Sequence, residues 1–106
     1  MNIYRSHNCN ELRKVSVGSE VTLSGWINKK RDHGNLLFLD LRDNYGITQC
    51  IIEKDNSKFS ELEKIQLETV IRIEGKVVDR SLETINKEIK TGEVEVVIKN
   101  FYFLYR

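Results

Sequence analysis

From Glu20 onward the apolar residues of this chain recur at every second position. Val21, Leu23, Gly25 and Ile27 alternate with Thr22, Ser24, Trp26 and Asn28; Leu37, Leu39 and Leu41 alternate with Leu36, Phe38, Asp40 and Arg42. A period of two is that of a strand with one buried face, so both stretches read as half-buried strands. Asp43-Asn44-Tyr45-Gly46 is a turn signal, and Ile47 to Glu53 reads as a third strand. A two-residue loop at Asn44-Tyr45 sets Arg42 opposite Ile47, Asp40 opposite Gln49 and Phe38 opposite Ile51, which leaves Thr48 and Cys50 on the leucine face. The earlier hairpin does not close so simply. A tight loop at His33-Gly34 sends Ile27 to the wrong face, which predicts a longer loop or a bulge.

Elsewhere the period differs. Asn8 to Arg13 reads as a short helix or turn capped by Asn8 or Asn10, broken at Val17-Gly18-Ser19. Phe59, Leu62 and Ile65 recur every three residues, predicting a helix capped by Asn56 or Ser57. Alternation then resumes. Ile71, Ile73, Gly75 and Val77 mark a fourth strand, and Val94, Val96 and Ile98 a fifth that runs on through Phe101 to Tyr105. The polar stretch Ser81 to Gly92 between them reads as a loop with one helical turn. Three strands, a helix and two strands in 106 residues is the element order of the OB-fold, an all-β architecture: a five-stranded Greek-key barrel with a helix between strands 3 and 4. Its usual ligand surface is the outward face of strands 2 and 3, flanked by the loops that join strands 1 to 2 and 4 to 5.

Size and charge narrow the classes. A chain of 106 residues is one small domain that buries roughly 65% of its unfolded surface. Lys and Arg number 17 against 16 Asp and Glu, a net charge of +1. Bulk charge therefore says nothing about a polyanionic partner, and only local placement of cations can. Cys9 and Cys50 lack any metal-type spacing and read as inert thiols of a reducing compartment. The stretch MNIYRSHNCNELRK has no apolar run after its charges, as a secretory leader would, and nothing approaches the ~20 apolar residues of a membrane span. A cytoplasmic protein without a membrane role is expected.

The pleat carries the functional argument. If Leu37, Leu39 and Leu41 face the core, Phe38 faces outward, with Gln49 on the same face of the next strand. Lys29, Lys30 and Arg31 lie at one rim of this face, and Arg80, Lys87 and Lys90 near the opposite loop. A planar ring, an amide with donor and acceptor, and surrounding cations suit unpaired nucleic acid. The ring stacks on a base, the amide reads a base edge and the cations hold phosphates. Each residue alone has a plainer reading as solvated surface; together, on this face of this fold, they favour single-stranded nucleic acid. His7 and His33 have no ligand partners at metal spacing, so no metal centre is expected. No phosphate loop or nucleophile–base pair occurs, and no catalytic residue is predicted.

The run GWINKKRDHGNLLFLDLRDNYGITQC resembles the amino-terminal anticodon-binding domain of bacterial aspartyl-tRNA synthetases, whose pattern is G-W-V-x-x-R-R-D-x-G-x-x-x-F-x-D-x-R-D-x-x-G-x-x-Q. INKEIKTGEVEV continues it, similar to the family's I-N-x-x-x-x-T-G-E-I-E-V. The resemblance implies one anticodon-binding domain over residues 1–106 with the family's catalytic domain absent. Phe38 would stack on an anticodon base, and Gln49 would hydrogen-bond the middle base, a uracil. Arg31 would contact the anticodon, while Arg80 and Glu95 would help read the first base, a guanine; Asn86 lies in the matching loop. Lys29 and Lys30 stand where the family tends to carry arginine, and are expected as auxiliary phosphate contacts.

His33 departs from the family's common pattern. Members that charge only the aspartate tRNA often have leucine there, and histidine resembles relaxed members that also accept the asparagine tRNA. A turn histidine with no role is the alternative. The resemblance further implies a homodimeric class II aspartate–tRNA ligase as the parent, using ATP and Mg2+ bound outside this domain. Two other readings stay open on the residues: a general single-strand-binding OB module, and a protein-interaction barrel.

Overall fold

The computed structural model describes residues 5–105; the first four residues of the stretch read for a leader lie outside it. Five strands, β1 (Glu20–Asp32), β2 (Leu36–Arg42), β3 (Ile47–Glu53), β4 (Val70–Asp79) and β5 (Val94–Tyr105), close into a barrel in the order β1-β2-β3-β5-β4. Every neighbouring pair is antiparallel except β3 and β5, which run parallel where Cys50 meets Val96. One short helix, α1 (Phe59–Lys64), lies between β3 and β4, and a 3₁₀ turn at Leu82–Thr84 interrupts the β4–β5 loop. This is the expected five-stranded OB-type barrel.

Strand alternation fills the interior. Val21, Leu23 and Ile27 from β1, Leu37, Leu39 and Leu41 from β2, Ile71, Ile73 and Val77 from β4, and Val94, Val96 and Ile98 from β5 are buried together. Each such side chain contributes about 1.5–3 kcal/mol when removed from water. Phe59, Leu62 and Ile65 of the α1 segment join the same core, as their spacing predicts. No side chain caps α1. Asn56, expected as its cap, accepts from the Lys58 amide at 2.8 Å and donates to the carbonyls of Ile98 and Lys99, tying the helix entry to β5. Near the amino terminus, Asn8 and Glu11 form a turn through the Asn10 and Asn8 amides, and a 3₁₀ turn follows at Lys14–Ser16.

Two local devices set the functional face. The β2–β3 register is the one that the Asn44-Tyr45 turn predicts, with Phe38 opposite Ile51, Asp40 opposite Gln49 and Arg42 opposite Ile47. In the β1–β2 hairpin the pairing slips by one residue between Ile27 and Lys29. Asn28 is the extra residue of a bulge. It keeps Ile27 inward against Leu41 while turning Lys29 and Arg31 to the same face as Asp40 and Phe38. The turn itself sits one residue later than His33-Gly34: the His33 amide donates to the Leu36 carbonyl at 2.9 Å, and Gly34 has φ +77°, a conformation only glycine adopts without strain. Gly25 meets β2 so closely that a Cβ there would lie 2.3 Å from the Arg42 carbonyl oxygen, which excludes larger residues.

Candidate nucleic-acid interface

Beyond the bulge, β1 delivers Arg31 to the centre of the outward face. Its guanidinium donates to Gln49 Oε1 at 2.9 Å, lies 3.5 Å from Asp40 Oδ2 and sits 5.9 Å from the centroid of the Phe38 ring. Phe38 is half-buried and outside the core. The His33 ring approaches it edge-on, 4.9 Å between centroids, so the turn histidine and the outward phenylalanine form one aromatic corner. The outward placement that the pleat requires is the one observed.

Gln49 differs from a solvated strand residue. It is 5% exposed, with its amide clamped at both ends: Oε1 accepts from Arg31, and Nε2 donates to Glu95 Oε1 at 2.8 Å. A cation at the oxygen and an anion at the nitrogen fix which way the amide points. Each end keeps one unused position, a lone pair on Oε1 and a hydrogen on Nε2. Glu95 reaches this point because β5 runs parallel to β3 there.

Arg80 sits just past β4 and is 7% exposed. Its Nε donates to the Val94 carbonyl at 3.0 Å, and an Nη to the Thr84 carbonyl at 2.9 Å. It therefore stitches the two ends of the β4–β5 loop together beside the site. Burial lowers its basicity from the ordinary value, while Glu95 and Asp40 pull the other way. Asn86, in the same loop, spends its side-chain oxygen on the Glu88 amide at 2.9 Å.

These groups line one cleft of about 380 Å³: Lys29, Arg31, Asp40, Gln49, Arg80 and Asn86 form its polar walls. Glu95 enters through Gln49, and Phe38 with His33 through Arg31. Of the residues singled out from sequence, Lys87 and Lys90 do not line this cleft, and Lys30 is taken elsewhere. The pleat sets it opposite Lys29 and Arg31, the bulge puts it on the side away from the site, and its ammonium donates to the Glu63 carbonyl at 2.8 Å and to that of Ile65, at the carboxyl end of α1. Asp40, which sequence placed only opposite Gln49, proves to be the ionic partner of Arg31. Its shared parity with Phe38 on β2 was the available signal. Cys9 and Cys50 are free and buried, and burial raises both thiols well above their ordinary range.

A family model described as the OB-fold nucleic acid binding domain matches residues 21–104. The chain belongs to this family. Within the OB-fold nucleic acid binding domains, the chain is similar to the aspartate–tRNA(Asp/Asn) ligase of Pelagibacter ubique (strain HTCC1062), 66% identical over 104 residues, which are 98% of this chain and 18% of that protein. The aspartate–tRNA(Asp/Asn) ligase of Wolbachia sp. subsp. Drosophila simulans (strain wRi) is 54% identical over 100 residues, 94% of this chain and 17% of that protein. The chain thus spans less than a fifth of the length of these curated relatives. Among solved structures, the asparaginyl-tRNA synthetase of Pyrococcus horikoshii superposes with a TM-score of 0.80 at 24% identity, over 98% of this chain and 23% of that one, a likeness of fold.

Proposed function

We propose that this OB-fold domain reads the anticodon loop of a tRNA as the amino-terminal part of an aspartate–tRNA ligase of the Asp/Asn type. The observation that carries the reading is the Gln49 amide, held between Arg31 and Glu95 yet lining the cleft. Its unused lone pair and hydrogen match the N3–H and neighbouring carbonyl of a uracil edge. The Glu95 carboxylate accepts from the two donors on the edge of a first-position guanine, with Arg80 and Asn86 beside it. A base stacks on Phe38, Arg31 contacts the anticodon from the β1–β2 side, and Lys29 meets a phosphate. The 66% identity to an aspartate–tRNA(Asp/Asn) ligase supports this assignment.

The parent enzyme, in this reading, is a homodimeric cytoplasmic class II ligase that joins aspartate to its tRNA with ATP and Mg2+. Among the described residues no group of three or more His, Cys, Asp and Glu is placed to hold a metal ion. In this reading the nucleotide and its metal bind outside this domain, which contributes recognition. Among the described residues no helix is long and apolar enough to cross a membrane.

The test is a titration at fixed salt of the chain with short RNA hairpins whose loops contain guanine-uracil-cytosine at the anticodon, against hairpins with those bases scrambled. The wild-type chain is expected to prefer the first, and Phe38→Ala to weaken that binding about 5- to 160-fold through lost stacking. Equal affinity for both hairpins would leave a general single-strand binder, and indifference to Phe38→Ala would leave a protein-interaction barrel.

A further inference from the structure

A second cleft adjoins the first. Its walls include Arg42, Tyr45 and Lys90, and it shares Ile47 and Ile89 with the anticodon-reading cleft, so the two adjoin in one trough across these apolar residues. Tyr45 is 56% exposed on the β2–β3 turn, and the Arg5 guanidinium lies 5.1 Å from the centroid of its ring. Arg5 is itself drawn toward Asp43, whose carboxylate also takes the Tyr45 and Gly46 amides and the Cys9 amide, so the turn and its aromatic ring are fixed in place. Arg42 and Lys90 are exposed, and among the described residues neither has an ion pair or a side-chain hydrogen bond. By contrast, Lys30 is bound to the helix end and Arg80 to its loop.

An aromatic ring backed by a guanidinium, with two uncommitted cations beside it, is the chemistry of a nucleobase stacked next to its own phosphates. Scale decides which nucleotides meet it. Arg42 lies four residues along β2 from Phe38, about 13 Å at the usual rise. Three stacked bases span only about 7 Å. This end of the trough therefore lies beyond a three-base reader.

We propose that Tyr45, Arg42 and Lys90 form a second RNA subsite that holds the loop nucleotides flanking the anticodon, irrespective of their sequence. The proposal rests on the anticodon reading above and adds to it a sequence-independent anchor. Because no base edge is read there, its contribution is the same for any loop of the same length.

The experiment titrates the full 106-residue chain with cognate and scrambled-anticodon hairpins over a salt series, for Tyr45→Ala, Tyr45→Phe, Arg42→Gln/Lys90→Gln and Phe38→Ala. Tyr45→Ala is expected to weaken both hairpins by the same factor, at least about 5-fold, and Tyr45→Phe, which keeps the ring, to bind as wild type. Arg42→Gln/Lys90→Gln should lower the slope of log affinity on log salt by about 1.4, two single-strand phosphate contacts. If Phe38→Ala weakens cognate binding while Tyr45→Ala and the double variant leave affinity and slope unchanged, the second subsite is wrong and the anticodon reading stands. If Phe38→Ala is also without effect, the anticodon reading fails and takes the subsite with it.

Discussion

Gln49 donates its side-chain nitrogen to Glu95 at 2.8 Å, across the one parallel junction of the barrel. The contact joins residues 46 apart in sequence and orients a buried amide toward a cleft. Gln49→Glu keeps the volume and the acceptor for Arg31 but sets two carboxylates face to face and removes the donor. Hydrogen bonds involving a charged partner are worth about 1.5–3 kcal/mol. The substitution should lower unfolding free energy within that range and abolish preference for uracil over cytosine at the middle position, while non-cognate hairpins bind as before. Denaturant unfolding and hairpin titration read the two effects; retention of uracil preference would remove Gln49 from the reading role.

Lys29 and Lys30 are neighbours with opposite duties. Lys29 lines the cleft, while the Lys30 ammonium is bound to carbonyls at the end of α1. A cation there offsets unpaired carbonyls and the helix dipole by about 0.3–2 kcal/mol. Lys30→Met should therefore lower Tm by about 4–8 °C per kcal/mol lost and leave the salt slope of RNA binding unchanged. Lys29→Met should do the reverse, lowering the slope by about 0.7 at constant Tm. Thermal melts of both variants and their salt-dependent titrations decide it; the opposite pattern would return Lys30 to the RNA surface.

That pair also marks where sequence stopped being sufficient. The β2–β3 register was readable because both strands alternate cleanly and only one two-residue turn satisfies both faces. The need for an irregularity in the first hairpin was readable too, since Ile27 and Leu41 both have to face inward. Its position at Asn28 was not, because a bulge demands no particular residue there. One residue of slip decides that Lys29, and not Lys30, faces the cleft. Burial of Gln49 was equally hidden: it depends on Arg31 and Glu95 arriving from distant strands, and alternation within β3 carries no trace of them. The same holds for Arg80, whose carbonyl partners lie across a loop that closes only in the fold.

Both thiols should be silent in the native protein. Cys9 and Cys50 are fully buried, and beyond desolvation the nearby carboxylates, Asp43 for the first and Asp40 with Glu95 for the second, further disfavour a thiolate. Since only the thiolate reacts, labelling must wait for an opening event. A chromogenic disulfide reagent at mildly alkaline pH is expected to find no reactive thiol in native protein and both after denaturation. Prompt native labelling of either residue would mean that its segment opens far more readily than the packed core implies.

In the proposed anticodon reading, His33 bears on which tRNAs are accepted. Its ring packs against that of Phe38, 4.9 Å between centroids, and in the proposed reading the base beyond the stacked position passes beside it. The aspartate and asparagine anticodons differ at the third base, cytosine or uracil. Neutral imidazole carries one donor and one acceptor, and by choice of tautomer it serves either edge. Leucine serves neither. A neutral hydrogen bond is worth about 0.5–1.5 kcal/mol net, so His33→Leu should cost the uracil hairpin about 2- to 13-fold relative to the cytosine hairpin. The wild-type chain should bind both within that margin. An unchanged ratio of the two affinities in His33→Leu would reduce His33 to a turn residue packed on Phe38, and relaxed recognition would then have to arise elsewhere in the cleft.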